Sequence, residues 1–150
     1  MNRMTAADLI ASHKPRRAKP RDLEGPIHRE ILAHLRGRFP GAIVHHSANS
    51  IGRSGLSIAR QIHANTLMGT VKGFPDLICL MPGRRVWLFE VKAKGNSPDK
   101  DQRELHEQLR GLGFRVAVVR SVADVDAAIA QWAEGLTDRQ LRDQIVGGAK

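Results

Sequence analysis

Residues 73–95 read GFPDLICLMPGRRVWLFEVKAKG. Two apolar runs, DLICLM and RVWLFEVK, flank Pro82-Gly83, a strong turn signal, and the stretch predicts a β-hairpin. With the turn centred on Gly83 and Arg84, residue 81 faces residue 86, and the same antiparallel register carries Asp76 to about the level of Val91. Strand side chains alternate, so Glu90 and Lys92 share a face and Val91 points to the other. The hairpin thus gathers two carboxylates and an ammonium at one end of a sheet, among Trp87, Leu88 and Phe89.

Charge in such company is costly to bury. A pairing of Asp76 or Glu90 with a Lys or Arg at a strand end explains single charges. It explains poorly an acid and a base on one apolar face. Two close carboxylates repel unless a cation sits between them, and a hard divalent ion with oxygen ligands, Mg²⁺ or Mn²⁺, meets that need. The backbone carbonyl of Val91 is a further candidate oxygen. Such an ion acidifies a bound water and polarises phosphoryl oxygens. Lys92 is then suited to orient the water and to stabilise charge developing on phosphorus.

Working outward, EGPIHREILAHLRGRF reads as a helix with Pro26 in its first turn and Ile27, Ile31, Leu32 and Leu35 on one face. Residues on a helix advance by about 100° per step. That puts Glu24 near the middle of the apolar face and Glu30 on the far, polar side. Glu24 is therefore the carboxylate aimed at the sheet, unless it serves only the helix dipole. AIVHHS is a short strand, ANSIGRSG a polar loop, and LSIARQIHANTLMG a helix with Leu56, Ala59 and Ile62 inward. After the hairpin, KDQRELHEQLRGLG is a helix with Leu105, Leu109 and Leu112 on one face. Gln102 lies on that same face, as a site residue or as a boundary residue near the helix start. FRVAVVRS is a fourth strand. VADVDAAIAQWAEG is a last helix, capped by Ser121 with Asp124 three residues on, and with Val125, Ile129 and Trp132 inward. The order is α–β–(α)–β–β–α–β–α, an α/β fold with a mixed sheet between helices.

Charge and composition bound the function. The 150 residues suit one domain, and 24 Lys plus Arg against 15 Asp plus Glu leave a net charge of +9. Such a balance points to a polyanion, most often nucleic acid. The single cysteine, Cys79, allows no intrachain disulfide and sits mid-strand as a core residue. No apolar run approaches the roughly 20 residues that span a bilayer, and the N-terminus lacks a signal-peptide apolar core, so a cytoplasmic protein with no membrane partner is expected. Residues 1–22, with HKPRRAKPR, read as a basic, flexible arm. Residues 23–135 form the folded domain, and 136–150 form an extension with some helical patterning.

Pro75-Asp76 followed by Glu90-Val91-Lys92 resembles the PD-(D/E)XK signature of restriction-endonuclease-like nucleases. Glu24 on an amphipathic helix, Asn49 in a Gly-containing loop, GFPDL, FEVK, SPDKDQ with Gln102, and GFRVAVVRS sharpen it. Together they resemble the VRR-NUC family over about residues 23–125. The resemblance implies an αβββαβ core and Mg²⁺- or Mn²⁺-dependent cleavage of DNA phosphodiesters. It also implies structure-specific substrates such as Holliday junctions or flaps, a place in DNA repair, and a homodimer of the small standalone type found in phages and bacteria. Carried over, Glu24, Asp76 and Glu90 are metal ligands with the Val91 carbonyl, Lys92 is the catalytic lysine, and Gln102 supports the active site.

Candidate phosphate contacts are Asn49, Arg53, Lys72, Lys94, Lys100 and Arg103, a salt-dependent grip on the backbone. With four Phe, two Trp and no Tyr, base stacking is not the expected mode. A loose HNH-like set, His45-His46, Asn49 and His63, has irregular spacing, and His45 and His46 point to opposite faces of a strand. The alternative from a different class is a basic DNA-binding module that positions another enzyme. It has no use for the complete acid–acid–lysine set.

Overall fold

The computed structural model describes residues 22–47 and 56–133, excluding the side chains of 56–59. The basic arm, Asn49, Arg53 and the C-terminal extension therefore lie outside the described residues. The elements run α1 (Glu24–Arg38), β1 (Ile43–His46), α2 (Leu56–Leu67), β2 (Leu77–Met81), β3 (Arg85–Val91), α3 (Lys100–Gly111), β4 (Arg115–Val119) and α4 (Val122–Ala133). The four strands form one sheet in the order β1-β2-β3-β4. The first two pairings are antiparallel, and β3–β4 is parallel, with α3 as the crossover that parallel neighbours require. This is the mixed α/β architecture expected from the sequence.

Each face of the sheet is covered by a helix layer. On one face Val44, Leu77, Cys79, Trp87, Phe89, Val91 and Val119 pack with Ile31, Leu35 and Phe39 and with Val125, Ile129 and Trp132. Trp87 meets Phe39 edge-on with centroids 5.5 Å apart, and Trp132 lies 5.4 Å from Phe89. His34 and Arg38 of α1 both reach Asp126 of α4, the histidine at 2.8 Å, and so tie the two helices together. On the other face Leu88 and Val116 pack against Leu105 and Leu109 of α3. Cover on both faces leaves Trp87 through Val91 buried in succession. The Cys79 thiol is part of this core, and burial pushes its pKa up to about 12.

Three details differ from the sequence expectation. The hairpin pairs Leu80 with Val86 and Met81 with Arg85, one step away from the expected 81–86 pairing. The cause is the turn, in which Gly83 (φ 76°) and Arg84 (φ 59°) are both left-handed, leaving Pro82, Gly83 and Arg84 outside the ladder. Consecutive positive φ values are the mark of the primed hairpin turns. Second, Ile62 of α2 is 47 % exposed rather than inward. Third, Leu112 is 74 % exposed, because α3 ends at Gly111 and the chain leaves the stripe of Leu105 and Leu109 there. Among the described residues no helix is long and apolar enough to cross a membrane.

Gly73 ties the hairpin entrance to α3. Its φ is +82°, and a Cβ there would stand 2.9 Å from both the Asp101 carbonyl carbon and the Gln102 nitrogen. Backbone atoms cannot yield as a flexible side chain does. Gly73→Ala is expected to cost about 1–3 kcal/mol from left-handed strain and displacement of the helix start. Thermal unfolding checks this, and an unchanged midpoint would show that the contact is not tight.

Candidate active site

Five side chains from four segments meet where β3 ends. Asp76 stands just before β2, and its Oδ2 accepts the Val91 N–H at 2.8 Å. That bond locks the hairpin mouth and leaves Oδ1 out of it. Val91 thus meets Asp76 through its N–H. Glu90 falls on the α3 face by strand alternation and is 0 % exposed. Its Oε1 accepts from Lys92 Nζ at 2.8 Å and from Gln102 Nε2 at 2.5 Å. Glu24, in the first turn of α1, accepts the Ala93 N–H at 3.3 Å. Glu30 is exposed, as its position on the polar side of the helix dictates.

Gln102 does two jobs in this arrangement. It occupies the third position of α3 and closes a capping box with Asp99, accepting the Asp99 N–H at Oε1 (3.0 Å) while its own N–H donates to Asp99 Oδ1 (2.9 Å). Its remaining polar atom, Nε2, is the one on Glu90. The cap orients the amide, and the amide orients the carboxylate.

The electrostatics follow from crowding. Burial, and then the Glu90 charge, hold the Asp76 carboxyl above its ordinary value, against the opposing pull of the Val91 N–H and Lys92. For Lys92, burial works to lower the ammonium. The Glu90 hydrogen bond and the charges of Glu90, Glu24 and Asp76 outweigh it, so Lys92 stands above the ordinary lysine value. Lys92 is thus a fixed cation among three carboxylates.

The donor set suits a hard divalent cation, because it is all oxygen and its members repel one another. It is an open arrangement: among the described residues no three His, Cys, Asp or Glu side chains form a ready-made metal cage.

Histidines surround the site in ways the sequence reading did not single out. His106, one turn beyond Gln102 on α3, is 2 % exposed, and its Nε2 lies 3.6 Å from Glu90 Oε2. Both atoms are buried without a hydrogen-bond partner. An unmet buried polar group costs about 1–3 kcal/mol, and more when charged. The available signal was helical spacing, since position 106 follows Gln102 by four residues. His46 donates from Nδ1 to the Asp76 carbonyl (3.1 Å) and meets His28 edge-on, with centroids 4.5 Å apart. Burial, His46 and Arg29 lower the pKa of His28. His45 and His63 are exposed, and Asn49 of the HNH-like set lies outside the described residues.

Of the candidate phosphate contacts, Lys72 pairs with Asp101, and Lys100 lies 3.6 Å from Glu104. Arg103 donates to the Pro98 carbonyl at 2.6 Å, and Lys94 is exposed.

Comparison with known proteins gives one consistent answer. The VRR-NUC domain model matches residues 27–123. A solved VRR_NUC domain is 27 % identical, with a TM-score of 0.51, over 73 % of this chain and 96 % of that one. A solved VRR_NUC domain protein is 20 % identical, with a TM-score of 0.55, over 77 % of this chain and 91 % of the other, and supports the fold alone. No curated protein matches the chain.

The raised Asp76 carboxyl has a measurable consequence without metal. The folded chain holds this proton more tightly than the unfolded chain does. Stability from this group is present below its ordinary 3.8 and is lost as pH rises through the raised value. Asp76→Asn removes the charge and keeps an acceptor for the Val91 N–H. In metal-free buffer it is expected to melt higher than the unaltered protein at pH 7, with the gap closing toward pH 3. An Asn variant that melts lower at pH 7 would contradict this.

Proposed function

The chain belongs to the VRR-NUC domain family, a nuclease-type domain with DNA as its substrate, and from that premise we propose that it is a metal-dependent DNA endonuclease that hydrolyses phosphodiester bonds in branched DNA such as Holliday junctions or flaps. The observation that carries this reading is the convergence of Glu24, Asp76, Glu90 and Lys92 at one end of the sheet, with Glu90 held by Lys92 and Gln102. A binding module gains nothing from burying Glu90 completely.

Asp76 and Glu90, with Glu24 beside them, would hold Mg²⁺ or Mn²⁺. When bound, the ion supplies an acidified water and neutralises charge on the phosphoryl group. The protein's own share is positioning and charge. Lys92, raised above the ordinary lysine value, stays protonated at neutral pH in the metal-free protein. It is suited to stabilise the negative charge that builds on phosphorus, rather than to take a proton. Gln102 keeps Glu90 from turning away. Val91 keeps Asp76 at the hairpin mouth. Exposed Lys94 and the basic residues near the start of α3 are suited to grip phosphates on either side of the cut.

A homodimer is part of this reading, since cutting two strands symmetrically calls for two such sites. Ile62, Leu67, Met68 and Val71, on α2 and the stretch after it, are 47–87 % exposed and offer apolar side chains for such a contact. Light scattering with and without junction DNA should give twice the chain mass in at least one condition. The monomer mass in both removes the dimer.

The central test is a panel of labelled branched, flapped, nicked and linear DNAs with Mg²⁺ or Mn²⁺. The unaltered protein should cut, with branched forms preferred. Lys92→Ala and Asp76→Ala should each lose on the order of 10²-fold or more in rate while retaining DNA binding. If the unaltered protein cuts none of them, the binding-module alternative stands instead.

A further inference from the structure

Glu90 is gripped at Oε1 and bare at Oε2. Lys92 and Gln102 both donate to Oε1, while Oε2 is buried with no hydrogen-bond partner. The His106 Nε2 lies 3.6 Å away, equally buried and equally without one. A water placed between them, at about 2.8 Å from each, would hold the two atoms roughly 4.5 Å apart, so none fits. An approach of about 0.7 Å brings them to hydrogen-bond distance.

The surrounding architecture favours that bond. Gln102 and His106 lie four residues apart on α3 and so project one above the other from the same face. Leu105 and Leu109 seat that face on Leu88 and Val116. The last torsion of a glutamate is broad, with no strong preference of its own. The plane of the Glu90 carboxylate is therefore set by what surrounds it, its hydrogen bonds included.

We infer that His106 is a positioning residue that donates its Nε2–H to Glu90 Oε2 and, with Gln102, fixes the plane of the carboxylate from one helix. Either the neutral ring protonated at Nε2 or the imidazolium makes this bond, so it does not depend on the charge of the histidine. The effect on catalysis rests on the nuclease reading above; the bond itself does not.

The test compares His106→Leu with His106→Gln, which keeps an N–H donor. Two quantities are measured: Mn²⁺ binding by electron paramagnetic resonance, and the single-turnover cleavage rate at saturating DNA. His106→Leu is expected to weaken Mn²⁺ binding about 10- to 100-fold and to lower the rate with DNA affinity unchanged. His106→Gln should recover most of both. A lower melting temperature in His106→Leu with unchanged Mn²⁺ binding, or no advantage for His106→Gln, would overturn the assignment. Should His106→Leu not fold, ¹⁵N spectra of the unaltered metal-free protein decide. Nε2 should be protonated, with a resonance that moves in Glu90→Gln, whereas an unprotonated Nε2 overturns the assignment. These spectra need no cleavage, so failure of the His106 bond is distinct from a protein that cuts no DNA.

Discussion

A carboxylate sealed inside a protein must be held by donors, and the Glu90 side chain is sealed completely. That constraint organises the molecule around it. Its Oε1 takes one donor from the end of β3, Lys92, and one from the start of α3, Gln102. The strand and the helix are thereby fixed to each other at the point where both must be accurate. Asp99 caps α3 and orients Gln102 in the same motion. Gly73 lets the hairpin entrance lie directly on the first turn of α3. Each feature serves the fold and the site at once, which is why they are hard to assign to one or the other.

The same constraint explains the electrostatic cost. Asp76 and Glu90 repel, and burial adds to the repulsion, so Asp76 is held above its ordinary value. One ammonium among three carboxylates leaves the pocket short of positive charge. A site in this condition favours the arrival of a cation and is less stable without one. Functional sites commonly carry such strain, and the aromatic cluster of Phe39, Trp87, Phe89 and Trp132 on the opposite face lies away from the charge conflict.

Much of this was legible in the sequence because two periodicities are strict. Alternation in RVWLFEVK put Glu90 and Lys92 on one face, and Glu90 and Lys92 are in contact. Helical spacing turned Glu24 and Gln102 inward, and each reaches the end of β3. The register slipped by one because nothing in Arg84 signals a left-handed backbone. His106 went unseen because a histidine beside a leucine stripe reads as a boundary residue, and only burial shows it facing Glu90. Ile62 had the spacing of a core residue, but spacing shows that a helix has an apolar face without showing what covers it.

The claim on which all of this turns is that the carboxylates at the end of β3 hold a divalent cation. Anomalous diffraction from crystals soaked in Mn²⁺ tests it directly. The expected result is a peak about 2.1 Å from oxygens of both Asp76 and Glu90, with Glu24 beside it. A peak elsewhere, or none while Mn²⁺ still supports cleavage, would contradict it.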